Sequence, residues 1–219
     1  MAIRALTSPS PPSPEPGTVL LETERLVIRR YLLSDAPALA EIGNDPEVAI
    51  FMSDRFPNPY TVEDAETFIK NLNPQHDPTS PPEYPTTTAV LLKVAPADGR
   101  HHTPAGDGLV LIGSLGVRPK PDVFYRTWDI GYFVGRDFWG QGYATEAVTA
   151  WTRWMFATWP ELLRIEGGRY SSNPRSGRVM EKSGFVLEGV KRSAVVKNGV
   201  VLDALLYGLL RSDVEKEST

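Results

Sequence analysis

The chain has 219 residues, of which 41% are hydrophobic and 23% charged, so it is long enough to bury a core and too apolar to be disordered throughout. Its net charge of −4 argues against binding nucleic acid through a basic surface, and no run of about 18 apolar residues predicts a membrane-spanning helix. The absence of cysteine excludes disulfides, cysteine-ligated zinc and a cysteine nucleophile. It is compatible with a reducing compartment such as the cytoplasm, and the first residues do not have the pattern of a signal peptide.

Proline-rich stretches suggest where the folded part begins and where its loops lie. Five of the twenty prolines fall in residues 1–17, so we expect a disordered, mobile tail over 1–19. A single domain is predicted over 20–211, with a short C-terminal tail over 212–219. Two loops are predicted, over 74–85 and 95–108.

The first half of the domain is predicted to contain one strand and two helices. Leu26-Val27-Ile28 is an apolar run typical of a strand. A helix is predicted from Ser34, as its N-cap, to about Gly43. Another is predicted from Thr61 to about Asn71, with Asp64 completing a capping box.

The second half alternates strands and helices. The predicted elements are strands over 87–94, 109–117 and 128–134, a helix over 144–158, a strand over 163–170, a helix over 174–183, and strands over 185–192 and 201–210. Asn198-Gly199 predicts a hairpin turn between the last two strands. This order indicates an α/β fold with a mixed, mostly antiparallel sheet flanked by helices, and with one crossover helix between neighbouring strands.

The three histidines are not expected to form a catalytic or metal-binding site. His76, His101 and His102 stand among Pro, Gly, Asp and Thr, where we expect loops. A Ser-His-Asp hydrolase or a histidine metal site needs a histidine on a rigid element. We therefore predict neither, and no metal ion.

The segment from Phe133 to Glu146 leaves a strand, turns through glycines and enters a helix, which places backbone N–H groups at the positive end of that helix. Such a turn is an anion site, and Gly140 and Gly142 allow close approach of a phosphate. A nucleoside-triphosphatase loop is excluded because Gln141 and Gly142 stand where Lys and Ser/Thr are required. The third glycine of a dinucleotide-binding fingerprint is also missing. The remaining alternatives are another phosphate ligand or a turn that merely begins a helix.

An ordered set of motifs resembles the GNAT superfamily of N-acetyltransferases, most closely its RimJ/RimL-type branch. The resemblance covers roughly residues 20–211 and is carried by five segments: ETERLVIR over 22–29, DIGYFV over 129–134, WGQGYATEA over 139–147, NPRS over 173–176 and EKSGF over 181–185. It implies the GNAT-like form of the α/β fold described above.

The resemblance implies acetyl-CoA as the co-substrate, with the pyrophosphate held by the backbone amides of the turn. Trp139 departs from the usual Gln or Arg of the family signature. The pantetheine arm would run beside Phe133 and Val134, and Asn173 would contact it. An acid in the first helical turn is stabilising in itself, so Glu146 is interpreted as structural. The implied cofactor-binding residues of the turn are Gly140, Gln141, Gly142, Tyr143, Ala144 and Thr145.

The family geometry also assigns roles in catalysis. The backbone N–H of Phe133 would polarise the thioester carbonyl, and Asp129 is the candidate base, acting through water; alternatively Asp129 is a solvated acid at a strand end. Met180 replaces the tyrosine that serves many relatives as the acid. Ser176 is our candidate for that role, with a cofactor contact or a hydroxyl at the helix start as the alternatives.

The predicted activity is transfer of an acetyl group from acetyl-CoA to a primary amine. A peptide α-amine, with a pKa near ~8, needs less help from a base than a lysine at ~10.4, so a protein or peptide N-terminus is the favoured acceptor. Small amines (aminoglycosides, polyamines or amino-acid-like compounds) and an idle acyl-CoA-binding module remain alternatives. We expect no nucleic-acid or membrane partner, and a monomer and a homodimer both remain open. The acceptor would lie between the first two helices and the last hairpin, with four aromatic residues as candidate walls: Phe51, Phe56, Tyr60 and Tyr125.

Overall fold

The computed structural model describes residues 5–72, 84–94, 96, 100 and 102–216. Its strands are β1 (Val19–Glu22), β2 (Leu26–Arg29), β3 (Thr88–Leu92), β4 (Val110–Pro119), β5 (Thr127–Val134), β6 (Arg164–Tyr170), β7 (Val186–Lys197) and β8 (Val200–Leu210). Its helices are α1 (Ala36–Gly43), α2 (Pro46–Ala49), α3 (Val62–Asn71), α4 (Tyr143–Thr158), α5 (Pro174–Lys182) and α6 (Arg211–Lys216).

The strands form one sheet in the order β1-β2-β3-β4-β5-β6-β8-β7. The strands from β1 to β4 pair antiparallel in sequence, and β8 pairs antiparallel with both β6 and β7. β5 and β6 are parallel and are joined by the crossover helix α4. The expected α/β fold with a mixed, mostly antiparallel sheet is confirmed.

The described chain forms two compact units, and β4, β5 and α4 each continue from one unit into the other. One unit consists of residues 12–116 and 132–147, of which residues 12–72, 84–94, 96, 100, 102–116 and 132–147 are described. It contains β1, β2 and β3, most of β4, the last residues of β5, helices α1 to α3 and the first residues of α4. Its core includes both apolar strand residues and a buried ion pair.

That ion pair joins Arg29 of β2 to Asp35, the residue before α1, and their side chains are 2% and 0% exposed. Two parallel hydrogen bonds connect the guanidinium to the carboxylate, at 2.7 and 2.9 Å. The Nε of Arg29 also donates to Asp107 at 2.7 Å, and the backbone N–H of Gly106 donates to Asp35 at 2.8 Å. The network therefore ties a strand, a helix start and the loop before β4 together.

The other unit consists of residues 1–11, 117–131 and 148–219, of which residues 5–11, 117–131 and 148–216 are described. Its core is rich in tryptophan: Trp128 and Trp159 pack with ring centroids 5.1 Å apart, and Trp151 of α4 is also fully buried. The pattern predicted for α4 accordingly places its apolar stripe against a core.

Two predictions about helix ends have different outcomes. Thr61 caps α3 as expected, since its hydroxyl accepts the N–H of Asp64 while the Asp64 carboxylate accepts the N–H of Thr61. Ser34 is not the N-cap that we predicted, because a short 3-10 helix over Leu33–Asp35 precedes α1. The side chain that hydrogen-bonds the backbone at this helix start is Asp35, whose carboxylate accepts the N–H of Leu32 at 2.8 Å.

His76 and His101 lie outside the described residues, as does most of the proline-rich stretch over 74–85. The ring of His102 packs on Phe138, with centroids 5.1 Å apart. In the described part of the chain, no group of three or more His, Cys, Asp or Glu residues is placed to hold a metal ion. None of the described helices has the length and hydropathy needed to cross a bilayer.

The tail boundaries stay a prediction, and the structure gives a way to test them. Leu6 is only 1% exposed, and the carbonyl of Ser13 accepts a hydrogen bond from Arg30 at 2.7 Å. At the other end, α6 occupies most of the predicted C-terminal tail. Leu6 therefore offers a position at which the predicted mobility of the first segment can be tested.

We expect Leu6→Ala to destabilise the protein by about 2 kcal/mol, because it removes a buried side chain and leaves a cavity. The matched control is Thr7→Ala, which changes an exposed neighbour. Thermal unfolding of both variants is the measurement. Equal melting temperatures for Leu6→Ala and the parent would show that the segment carries no stability and behaves as a mobile tail.

Candidate functional site

The turn between β5 and α4 has the backbone geometry expected of an anion cradle. Gly140 and Gly142 have φ angles of 77° and 83°, in the left-handed region that glycine adopts without strain. A Cβ added to Gly140 would have no heavy atom within 4 Å, so one side of the turn is open. Glycine is therefore favoured here by backbone conformation and leaves room for a ligand.

The backbone amides of this turn are available to an anion. α4 begins at Tyr143, and the first bond into the helix runs from the N–H of Glu146 to the carbonyl of Gly142 at 3.0 Å. The six amides of residues 140–145 donate to no group in the part of the chain that the structure describes. Unpaired N–H groups at the N-terminus of a 16-residue helix attract negative charge. The arrangement fits the pyrophosphate of acetyl-CoA.

Two side chains of the turn stabilise it through hydrogen bonds to backbone carbonyls. The indole N–H of Trp139 donates to the carbonyl of Val134 at 2.6 Å, and the side-chain amide of Gln141 donates to the carbonyl of Asp137 at 3.0 Å. Trp139, which departs from the family signature, thus connects the turn to the end of β5 through its side chain. The side-chain amide of Gln141 is thus engaged within the turn.

Glu146, in the first turn of α4, is held by residues near the start of β2. One carboxylate oxygen accepts the Thr23 hydroxyl at 2.5 Å and the backbone N–H of Arg25 at 3.0 Å, and the other accepts the Arg25 Nε at 2.6 Å. Partial burial opposes ionisation of Glu146, but these donors outweigh it and lower the pKa of the carboxyl below its ordinary value. The contacts support the structural interpretation of Glu146 and add Thr23 and Arg25, which the sequence analysis did not identify.

Aromatic side chains lie beside the end of β5. Phe56 packs edge-on against Phe133 with centroids 5.6 Å apart, and Phe51 lies 6.5 Å from Trp139. Both are only partly buried and remain candidates for an acceptor wall. Tyr60 is instead a packing residue: it is 5% exposed, and burial raises the pKa of its hydroxyl to about 12.

Tyr125 and Asp129 belong to the other unit, where Asp129 lies on β5 opposite Glu166 of the parallel strand β6. The side chain of Asp129 is 42% exposed, and one of its oxygens is 3.6 Å from the Nζ of Lys120. Lys120 donates to Glu166, which also accepts the Nε of Arg164 at 2.7 Å. Arg164 also donates to Glu188 at 2.7 Å, so three carboxylates and two cations form one cluster.

Within this cluster the carboxyls of Asp129 and Glu166 differ in acidity. Partial burial, the largest influence, raises the pKa of Asp129 above its ordinary value; the nearby ammonium of Lys120 opposes the rise and the negative charge of Glu166 adds to it. For Glu166, burial is outweighed by hydrogen bonds from Lys120 and Arg164, which lower its pKa. Asp129 is therefore the carboxylate of the pair that binds a proton more readily, as a general base must.

Helix α5 holds the other predicted site residues. Asn173 is its N-cap and accepts the backbone N–H of Ser176 at 3.2 Å. Both side chains are partly exposed at the helix start. Met180, which the resemblance matches to the tyrosine of many relatives, is 2% exposed and packs beside Gly167 of β6.

The structure thus gathers the predicted residues into two groups. Phe133, Val134 and the turn residues over 140–145 lie in one unit, and Asp129, Asn173 and Ser176 lie in the other. Asn173 and Ser176 contact each other directly, and Asp129 contacts Lys120. Lys120, Glu166 and Arg164 were missed by the sequence analysis, because charged residues on strands are common and their spacing carries no motif.

An open amide cradle at the start of a helix suits a phosphate-bearing ligand. The acetyltransferase (GNAT) domain family matches residues 25–186. The uncharacterized N-acetyltransferase p20 of Bacillus licheniformis is 28% identical over 194 residues, which cover 88% of this chain and 97% of that protein. The match over most of the chain shows that it belongs to the GNAT acetyltransferase family.

Solved structures show the same fold. RimJ of Mycobacterium smegmatis, in complex with CoA-disulfide, has a TM-score of 0.66 at 19% identity and covers 86% of this chain and 83% of its own. The ribosomal-protein-S5-alanine acetyltransferase of Vibrio fischeri has a TM-score of 0.66 at 21% identity and covers 88% and 97%. The expected GNAT-like α/β domain is confirmed, and the protein is an acetyl-CoA-dependent N-acetyltransferase with acetyl-CoA as co-substrate.

We expect Gly142→Asp to weaken acetyl-CoA binding by well over tenfold, because it adds a carboxylate to the proposed pyrophosphate cradle; tenfold corresponds to ~1.4 kcal/mol. Gly199→Asp is the matched control, since Gly199 also has a positive φ, of 76°, and open space around its Cβ position. Calorimetry on both folded variants decides the matter. Equal acetyl-CoA affinities for Gly142→Asp and Gly199→Asp would show that the pyrophosphate does not bind at this turn.

Proposed function

We propose that the enzyme acetylates the α-amino group at the N-terminus of a protein or peptide. The observation that carries this proposal is the modest acid–base equipment of the site: a buried methionine, Met180, stands in place of the tyrosine acid, and Asp129 is the candidate base. An α-amine with a pKa near ~8 is partly neutral at pH 7, whereas a lysine at ~10.4 is almost wholly protonated. The ribosomal-protein acetyltransferase among the solved structures supports the same acceptor class, and a cysteine-free chain is compatible with a cytoplasmic location.

In the proposed mechanism the neutral amine attacks the thioester carbonyl, one side chain accepts the proton that the amine loses, and another donates a proton to the leaving thiolate. The backbone N–H of Phe133 donates to the carbonyl oxygen as negative charge develops there. Asp129, which shares a face of β5 with Phe133 by the period of two, accepts the proton lost by the amine through a water molecule. Breaking of the carbon–sulfur bond leaves a thiolate, to which Ser176 gives a proton that it recovers from solvent.

The test is a panel of acceptors, incubated with acetyl-CoA, in which release of free thiol is measured and the product is located by mass spectrometry. We expect kcat/KM to be highest for peptides with a free N-terminus. The matched control is the same peptide with a blocked N-terminus and an internal lysine. Faster turnover of aminoglycosides, polyamines or amino-acid-like amines would favour the small-molecule alternative and contradict the proposal.

We expect Ser176→Ala to lower kcat roughly tenfold, with little change in the KM for acetyl-CoA. This is less than a general acid usually contributes, because a thiol with a pKa near 8.5 is a fair leaving group without help. Ser172→Ala, at an exposed position just before α5, is the control. A rise in the acetyl-CoA KM with kcat intact would instead make Ser176 a co-substrate contact.

A further inference from the structure

Glu146 places a negative charge in the first turn of α4, next to the amides that would receive a pyrophosphate. The lowered pKa of this carboxyl means that it stays ionised at neutral pH, so protonation does not remove the charge. A fixed carboxylate disfavours binding of a second anion at the same helix end. The turn can bind a pyrophosphate tightly only if another group in the protein compensates the negative charge of Glu146.

Arg25 has the geometry for that task. Its Nε and Nη2 both lie 2.6 Å from the same oxygen of Glu146, and its Nη1 donates to the carbonyl of Gln141 at 3.1 Å. The guanidinium stacks over the ring of Tyr143, with 4.5 Å to the ring centroid. The Arg25 head group is thus fixed against the outer side of the turn.

The same cation also borders the open glycines. The Arg25 Nη2 lies 3.4 Å from the point where a Cβ on Gly142 would stand. The Arg25 side chain is 43% exposed, so its charge faces solvent as well as Glu146. The contacts to Glu146 and Gln141 span more than 110 residues of sequence and therefore link the segment before β2 to the turn.

We propose that Arg25 is a positioning residue for acetyl-CoA: it neutralises Glu146 and fixes the Gln141–Tyr143 turn, and so makes this helix end receptive to the pyrophosphate. This inference rests on the assignment of the turn as the pyrophosphate site. It does not depend on the identity of the amine acceptor. Most of the Arg25 donors are engaged by the protein, so its effect is exerted through Glu146 and the turn.

The test is a double-mutant cycle on acetyl-CoA affinity, measured by calorimetry with no acceptor present. Arg25→Gln is expected to weaken binding at least tenfold, Glu146→Gln to leave it within about threefold, and the double variant to recover most of the loss. Arg25→Lys, which keeps the charge, is expected to lie between the parent and Arg25→Gln. Arg136→Gln is the control, since it removes one exposed cation whose ion-pair partner is Asp45.

Binding of a second ligand distinguishes two explanations for a loss of affinity in Arg25→Gln: an uncompensated charge on Glu146, or a disrupted turn. Acetylpantetheine has no pyrophosphate, so its affinity is expected to stay within about twofold in Arg25→Gln. A double variant as weak as Arg25→Gln would overturn the proposal by showing that Arg25 acts on the anion itself. An equal loss for both ligands would overturn it in favour of a general structural role. Failure of the wild type to acetylate N-termini would contradict the proposed function and leave this result standing.

Discussion

Replacing Asp35 with alanine is expected to lower the free energy of unfolding by about 3–5 kcal/mol, because it leaves the buried Arg29 guanidinium without its bidentate partner. The backbone N–H groups of Leu32 and Gly106 lose their acceptor at the same time. Urea denaturation, followed by the midpoint and slope of the transition, measures the effect. The matched control is Glu66→Ala, which breaks an exposed ion pair with Lys70 and should cost about 0.5 kcal/mol.

A loss below about 1 kcal/mol for Asp35→Ala would show that solvent or another acceptor reaches Arg29. The same network predicts a dependence on pH through Asp107. Partial burial opposes its ionisation, but hydrogen bonds from Arg29 and from the N–H of Leu109 lower its pKa. Its contribution to stability is therefore complete above the ordinary carboxyl pKa and is lost as the pH falls through the lowered value.

Asp129→Asn is expected to reduce turnover about 10²-fold at neutral pH, since it keeps the shape of the side chain and removes its basicity. The loss should shrink toward the pKa of the amine, where the acceptor is already neutral. In the wild type, activity should fall as the pH drops through the raised pKa of Asp129, and this acid limb should be missing from the variant. Steady-state rates over a range of pH test both statements.

Asp122→Asn is the control for this substitution, because Asp122 is exposed and has a positive φ, of 58°, that asparagine tolerates. Its pH profile should match that of the wild type. A loss in Asp129→Asn that is the same at every pH would make Asp129 structural and leave solvent as the base.

The fold could be predicted where local sequence decides local structure. Thr61 and Asp64 form the capping box that their spacing indicates, and Asn198 and Gly199 have the positive φ angles, 49° and 76°, of a tight hairpin turn. β1, α2 and α6 were not predicted: α2 has only four residues, and β1 and α6 lie at the borders of the segments that were assigned to tails. Ser34 was misassigned because the neighbouring Asp35 is fixed by tertiary contacts, with Arg29 of β2 and with Gly106, which is 71 residues away in sequence.

The candidate site divides in the same way. The turn over 140–145 was accessible to prediction because its open amides follow from contiguous residues and two glycines. The charged groups beside the turn could not be predicted, since Arg25 and Glu146 are 121 residues apart in sequence. Likewise, Lys120 and Glu166 reach Asp129 only because three strand segments converge, so the different pKa values of the two carboxyls follow from tertiary structure.

The irregularity in β7 has a consequence for how molecules of this protein meet one another. β7 is the outermost strand at its end of the sheet, and Val190 and Val196 are among its exposed side chains. Its register with β8 shifts between Lys191 and Val195, and Ser193 has a φ of 51°. A bulge bends the strand and interrupts the row of free N–H and C=O groups along its outer edge. β7 therefore presents only short, interrupted lengths of edge on which a second chain could continue the sheet.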